Sequence, residues 1–152
     1  MHIAYLLLGG NLGDRESILS EALLRLRRAG RVLAVSALRE TKPWGFDTPV
    51  PAFLNQAVRL ETELDPESLL VVCLGIEKEL GRTRICSQTN KETGRKYVSR
   101  PIDIDILLYD RLCYHSENLD IPHPRLLERP FATGLIQEIF PKNVSLTDFY
   151  PR

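Results

Sequence analysis

Apolar positions change their spacing several times along this chain, and each change marks an element. Ile3 to Leu8 is a nearly unbroken apolar run that ends at Gly9-Gly10, which predicts a strand covered on both faces and closed by a tight turn. Past Asn11-Leu12-Gly13-Asp14, the residues Ile18, Ala22 and Leu26 recur every fourth position, flanked by Leu19 and Leu23, as far as Gly30. That period predicts an amphipathic helix with a glycine stop. Val32 to Leu38 is small, apolar and β-branched, and Phe53 to Leu60 alternates, with Leu54, Gln56, Val58 and Leu60 on one face and Phe53, Asn55, Ala57 and Arg59 on the other. Two more strands follow from these patterns. The stretch between them, Thr41 to Ala52, holds Pro43, Gly45, Pro49 and Pro51, the composition of an irregular surface loop.

Asp65-Pro66-Glu67 has the form of an N-cap, a proline in the first turn and an acidic start. Leu69, Cys73, Ile76 and Leu80 then form a 4-3-4 stripe ending at Gly81, which predicts a second helix. Residues 82 to 100 are polar and without period, whereas Ile102-Asp103-Ile104-Asp105-Ile106 alternates and runs into Leu107-Leu108-Tyr109, as a central strand would. Leu119-Asp120-Ile121, a turn at His123-Pro124 and a helical stretch from Pro130 to Phe140 complete the pass. The order strand, helix, strand, strand, helix, strand predicts an α+β, ferredoxin-like sandwich, an antiparallel sheet covered by helices. One domain over residues 1–152 is expected, since no linker or repeat divides the chain.

Composition narrows the function. Hydrophobic residues make up 43% and charged residues 26% of the chain, and 20 Lys and Arg balance 20 Asp and Glu. No global field therefore draws the protein toward nucleic acid or anionic membrane. Cys73, Cys86 and Cys113 show no CxxC spacing, so they are expected to be free thiols of a reducing compartment rather than a disulfide framework or a zinc site. The N-terminal apolar run lacks a basic flank and is too short to span a bilayer. Cytoplasmic localisation is the expectation.

Asp103 and Asp105 stand two apart on a strand, so both carboxylates leave one face while Ile102, Ile104 and Ile106 enter the other. Such a pair suits a hard cation that bridges to substrate phosphates, although taken alone it also fits a solvent-facing strand side. The residues before it favour the metal. Arg82, Arg84, Lys91, Arg95, Lys96 and Arg100 face a single acidic residue, Glu92, between Gly81 and Pro101. Arginine forks beside metal-binding carboxylates are what a polyphosphate needs. Gly9-Gly10-Asn11-Leu12-Gly13 lacks both the GK[ST] ending of a Walker A loop and the GxGxxG of a dinucleotide turn, which leaves a tight turn steadied by Asn11. Phe53 and Asn55 share a strand face, and an aromatic beside an amide suits a flat, hydrogen-bonding heterocycle. His123, between two prolines, could donate to a phosphate.

Taken together these segments resemble the 6-hydroxymethyl-7,8-dihydropterin pyrophosphokinase family. The resemblance is carried by Gly9 to Gly13, Glu40-Thr41-Lys42-Pro43-Trp44-Gly45, Phe53-Leu54-Asn55-Gln56-Ala57-Val58, Ile76-Glu77 to Gly81-Arg82-Thr83-Arg84, Arg100-Pro101-Ile102-Asp103-Ile104-Asp105-Ile106-Leu107, Ile121-Pro122-His123-Pro124 and Arg129-Pro130-Phe131. It implies a monomer in which Asp103 and Asp105 hold two Mg²⁺ ions against the phosphates of ATP. The pterin alcohol would attack the β-phosphorus with AMP leaving. Phe53, Phe131 and Asn55 would hold the pterin under a loop of Thr41, Pro43, Trp44 and Gly45. ATP would meet Glu77, Arg84, Arg100, Ile106, His123 and Arg129, with Arg82 assisting from the mobile basic loop. The chain departs from the family pattern at Leu74, Asn118 and Pro124, where a glutamine, an arginine and a tyrosine can reach the nucleotide, and at Tyr97, where a tryptophan often stands.

Two readings compete. A ferredoxin-like nucleic-acid-binding module would carry stacking aromatics on its central strands, where this sequence puts Asp103 and Asp105. A non-catalytic small-molecule binder would share the site without the turnover.

Overall fold

The computed structural model describes residues 1–42, 52–81 and 101–150. In chain order the elements are β1 (His2–Gly10), α1 (Arg15–Arg25), a 3-10 turn, β2 (Gly30–Val35), β3 (Arg39–Thr41), β4 (Phe53–Thr62), α2 (Pro66–Glu79), β5 (Asp103–Tyr109), the short hairpin of β6 (Tyr114–His115) and β7 (Asp120–Ile121), a second 3-10 turn, α3 (Pro130–Glu138) and a last 3-10 turn at Leu146–Phe149. The main sheet runs β2-β4-β1-β5 with every pairing antiparallel, and β3 adds to the end of β4. This is the strand order of the ferredoxin-like split βαβ fold. No described helix is long and apolar enough to cross a membrane.

Period-two alternation on β1 explains the two layers. Ala4, Leu6 and Leu8 join Leu54, Val58 and Leu60 of β4 and Ile104 and Ile106 of β5 beneath α1 and α2, which supply Leu19, Ala22, Leu69, Cys73 and Ile76. Tyr5 and Leu7 point the other way, to Ala57, Leu107, Leu108 and the buried side of α3, with Phe149 of the C-terminal segment. Two helices begin at side-chain caps, the second of them as the sequence predicts. Asp14 and Asp65 each accept a hydrogen bond from the amide three residues on, Ser17 at 3.2 Å and Ser68 at 2.7 Å, satisfying one of the orphan N–H groups of a first turn. After α2 the chain turns away at Gly81 with φ +101°, a value that side chains disfavour.

The structure moves two of the expected strand ends and the place of one strand in the sheet. β1 does not stop at Leu8 but continues through Gly9 and Gly10, because β4 and β5 flank it: Gly9 pairs with Asn55 on one side and Asp103 on the other. Two ladders outweigh the local preference of glycine for a turn. The predicted strand Val32 to Leu38 ends at Val35, and the separate β3 follows. β5 is also not central; among the described residues it pairs with β1 alone and forms one edge.

Candidate active site

Register brings distant residues into rows. Asp103 of β5, Gly9 of β1, Asn55 of β4 and Arg39 of β3 lie across neighbouring strands in one row, and Asp105, Leu7 and Ala57 form the row two residues along. Paired residues project to the same face of a sheet, so both carboxylates and the Asn55 amide share the face that α3 covers farther along. Two strand spacings of about 4.8 Å each separate Asp103 from Asn55. Gly9 lies between them, and its lack of a side chain makes room for the amide: a Cβ there would sit 2.7 Å from Asn55 Oδ1, which would have to shift.

Asn55 is 5% exposed and firmly oriented. Its Nδ2 donates to the Arg39 carbonyl at 3.1 Å and to Thr41 Oγ1 at 2.9 Å, which leaves Oδ1 turned toward the space above Gly9. Phe53, half-buried and two residues before Asn55 on β4, shares this face and pairs with Thr41. Phe131, in the first turn of α3, packs against the edge of the second core. β3 and the residue before β4 are tied to the start of α1, since Arg15 donates to the Ala52 carbonyl at 2.9 Å and reaches Glu40 at 3.5 Å.

Across the row, Asp103 and Asp105 are half-buried, while Ile102, Ile104 and Ile106 face the core at 0–3% exposure. Arg129, the residue before α3, places Nη1 3.5 Å from Asp105 Oδ2. His123 is anchored to β5 through its backbone N–H, which donates to the Leu107 carbonyl at 2.9 Å, and its Nδ1 accepts from the Arg125 amide at 3.2 Å. Burial, then Arg129, pushes the His123 imidazole below its usual range, with Asp103 pulling the other way. Two half-buried carboxylates with Arg129 beside one of them are a fitting donor set for Mg²⁺, which takes one or two protein carboxylates and leaves its other positions to phosphate and water. Among the described residues no group of three or more His, Cys, Asp or Glu could hold a metal.

The structure thus brings together Asp103, Asp105, Asn55, Phe53, Thr41 and Arg129, with His123 beside them. Ile106 turns its side chain into the core. Glu77 is buried behind β5, where Oε2 accepts from the Ile104 amide at 2.6 Å. Leu74 on α2, Asn118 in the β6–β7 hairpin and Pro124 are all exposed. Pro43, Trp44, Gly45, Arg82, Arg84, Tyr97 and Arg100 lie outside the described residues, as does the rest of the basic loop. Cys73 and Cys113 are free, as expected; Cys73 is buried, and burial followed by Glu77 and Asp105 pushes its thiol up to about 12.

Residues 5–141 match the family described as 7,8-dihydro-6-hydroxymethylpterin-pyrophosphokinase. The chain belongs to this family. A 2-amino-4-hydroxy-6-hydroxymethyldihydropteridine pyrophosphokinase of Porphyromonas gingivalis is 46% identical over 145 residues, which cover 93% of this chain and 92% of that protein. The protein of the same name in Bacillus subtilis is 41% identical over 140 residues, 91% of this chain and 78% of its own length. In Pisum sativum a mitochondrial folate synthesis bifunctional protein is 40% identical over 133 residues, but these are only 24% of it. A solved HPPK-DHPS chain in complex with substrates superposes with a TM-score of 0.66 at 15% identity, over 96% of this chain and 41% of that one; at that identity the likeness bears on fold alone. The chain is accordingly an ATP-dependent pyrophosphokinase of the hydroxymethyldihydropterin family.

Register and hydrogen bonding add two residues to the row that the sequence pattern did not assign to it. Gly9 read as a turn and is part of the floor beneath the Asn55 amide. Arg39 contributes a backbone carbonyl, for which no side-chain signal exists. Only strand register places either one.

Proposed function

We propose that this chain transfers pyrophosphate from ATP to the hydroxymethyl group of 6-hydroxymethyl-7,8-dihydropterin, with Asp103 and Asp105 holding two Mg²⁺ ions and Phe53, Asn55 and Phe131 holding the pterin. The observation that carries this reading is the row Asp103–Gly9–Asn55: it puts a half-buried carboxylate and a fixed amide on one face of the sheet, as a metal-bound polyphosphate beside a heterocycle needs. Asn55 Oδ1, aimed by Arg39 and Thr41, accepts from the heterocycle, and Phe53 and Phe131 cover its faces. Thr41 lies at the root of the loop that continues to Pro43, Trp44 and Gly45, and this loop closes over the ring.

Bound magnesium supplies neutralisation of the polyphosphate and polarisation at the phosphorus attacked. The residues of the chain supply the positioning that phosphoryl-type transfer chiefly demands. Arg129 and His123 meet phosphate oxygens from the α3 side, and Arg84 and Arg100 meet them from the basic loop. Ile104 directs its N–H away from β1, to Glu77, and in an antiparallel strand Ile106 repeats that direction two residues on, so its backbone serves the base of the nucleotide. The pterin hydroxymethyl oxygen forms a bond to the β-phosphorus, the anhydride to the α-phosphate breaks, AMP keeps the bridging oxygen, and the hydroxyl proton passes to solvent. Arg82 helps the loop close and reopen. We place this activity in a single-domain monomer in the cytoplasm, in keeping with the free thiols of Cys73 and Cys113.

Purified protein incubated with Mg²⁺, ATP and the reduced pterin alcohol should release AMP and the pterin diphosphate in equal amounts. Release of ADP, or AMP release that does not depend on the pterin, would overturn the reading.

A further inference from the structure

An edge strand has one side of backbone N–H and C=O groups with no strand to meet. β5 is such a strand among the described residues, and the peptide between its two aspartates is the one that must not move. Ile104 supplies that peptide's neighbouring N–H, and it donates outward to Glu77 Oε2 at 2.6 Å. Glu77 is only 2% exposed. Taking a carboxylate out of water is costly unless it is well bonded, and the positioning of pterin and magnesium described above leaves this one unused. On the inner side β1 holds the same segment through the pairs Leu7 with Asp105, Leu8 with Ile104 and Gly9 with Asp103.

We propose that Glu77 is a positioning residue for the metal-binding pair: by tying the Ile104 amide to α2, it fixes the spacing and aim of Asp103 and Asp105 from the side β1 cannot reach. A charge-assisted bond of this length is among the stronger kinds. The helix that supplies it is itself seated in the first core through Leu69, Cys73 and Ile76, so the anchor is rigid. Supports of this kind around a metal typically carry about 10–100-fold in affinity or activity.

The proposal rests on Asp103 and Asp105 being the magnesium ligands, and its test separates the two claims. Three readouts are taken on the wild type, Glu77→Gln, Glu77→Leu and Asp103→Ala: Ile104 amide exchange by NMR, binding of Mn²⁺ with a non-hydrolysable ATP analogue, and steady-state kinetics. Glu77→Gln keeps an acceptor and should retain Ile104 protection and kcat within about threefold. Glu77→Leu should speed Ile104 exchange, weaken Mn²⁺ binding and lower kcat, each about tenfold or more, with the KM for the pterin unchanged. If Glu77→Leu fails to fold by circular dichroism, Glu77→Asp takes its place, since it keeps the charge but falls one methylene short. A rise in KM for ATP in both Gln and Leu variants, with Ile104 exchange and Mn²⁺ binding untouched, would make Glu77 a nucleotide contact and overturn the proposal. Mn²⁺ binding that survives Asp103→Ala would remove the metal assignment, and the positioning role with it, even where the Glu77 bond to Ile104 is intact.

Discussion

One face of the sheet has two ends of opposite character, built from the same three strands. Toward the start of β1 its positions are Tyr5, Leu7, Ala57, Leu107 and Leu108, closed over by α3 and Phe149. Toward the end of β1 they become Gly9, Asn55, Asp103 and Asp105. The boundary runs through a single register pair, since Leu7 and Asp105 face each other across β1 and β5. At the covered end burial of apolar surface stabilises the fold. At the open end like charges, a small residue and an oriented amide sit together, an arrangement that would be costly under a helix but is tolerable where Asp103 and Asp105 keep part of their hydration and Arg129 lies 3.5 Å from Asp105. The contrast teaches that this protein separates stability from chemistry along a strand rather than between layers.

The sharpest way to break the comparison is to exchange consequences between the ends. Asp103→Ala or Asp105→Ala should lower AMP formation about a thousandfold or more, roughly 4 kcal/mol of transition-state stabilisation, while thermal unfolding moves by no more than about 0.5 kcal/mol. Leu7→Ala, one strand from Asp105, should do the reverse. A buried leucine cut to alanine costs about 2–5 kcal/mol of stability, seen as a lower urea midpoint, while kcat per folded molecule stays within about twofold. A large kcat loss in Leu7→Ala with unchanged stability would dissolve the distinction.

How much of this was legible beforehand follows the same boundary. Alternation in Ile102 to Ile106 and in Phe53 to Leu60 assigned the two faces of β5 and β4 correctly, because period two is a property of the chain alone. The caps at Asp65 and the helix stop at Gly81 were equally local. What no local pattern carries is register. That Gly9 falls between Asp103 and Asn55, that the Arg39 carbonyl meets the Asn55 amide, and that the Ile104 amide finds Glu77 all depend on pairing between residues 16 to 94 apart. β3 escaped notice for a related reason: Arg39-Glu40-Thr41 has no apolar stripe, and its strand state comes from pairing with β4. The apolar Ile102–Tyr109 run suggested a central strand, yet the apolar residues of β5 are buried at what is, among the described residues, the sheet edge, because α2 and β7 help cover them.

Gly9→Ala sharpens the comparison within the open end. The added methyl would lie 2.7 Å from Asn55 Oδ1 and 3.7 Å from the Leu54 carbonyl, so the amide must leave the position that Arg39 and Thr41 hold. Overpacking of this kind costs about 1–3 kcal/mol, here drawn mainly from pterin binding. The expected result is a KM for the pterin raised about tenfold, equivalent to roughly 1.4 kcal/mol, with the KM for ATP within twofold. Equal rises in both would mean that Gly9 serves the strand pairing rather than the amide.

The smallest effect belongs to His123, which links the two ends by hanging from the Leu107 carbonyl while sensing Asp103. Its imidazole is held below the ordinary value of 6.5 by burial first and by Arg129 next, against the upward pull of Asp103. Above pH 6.5 both folded and unfolded chains carry it neutral, so the fold has its full stability there. As the pH falls below 6.5 the unfolded chain takes up the proton first, and stability declines until the folded pKa is passed. Metal-free protein should therefore lose stability on the acid side of 6.5, and His123→Gln should flatten that part of the curve. Asp103→Asn removes a charge that favours the imidazolium, so it should steepen the decline, which urea titrations at pH 7.5, 6.5 and 5.5 would show. An unchanged slope in Asp103→Asn would mean that the open end does not reach His123, leaving its titration to the burial and arginines on the α3 side.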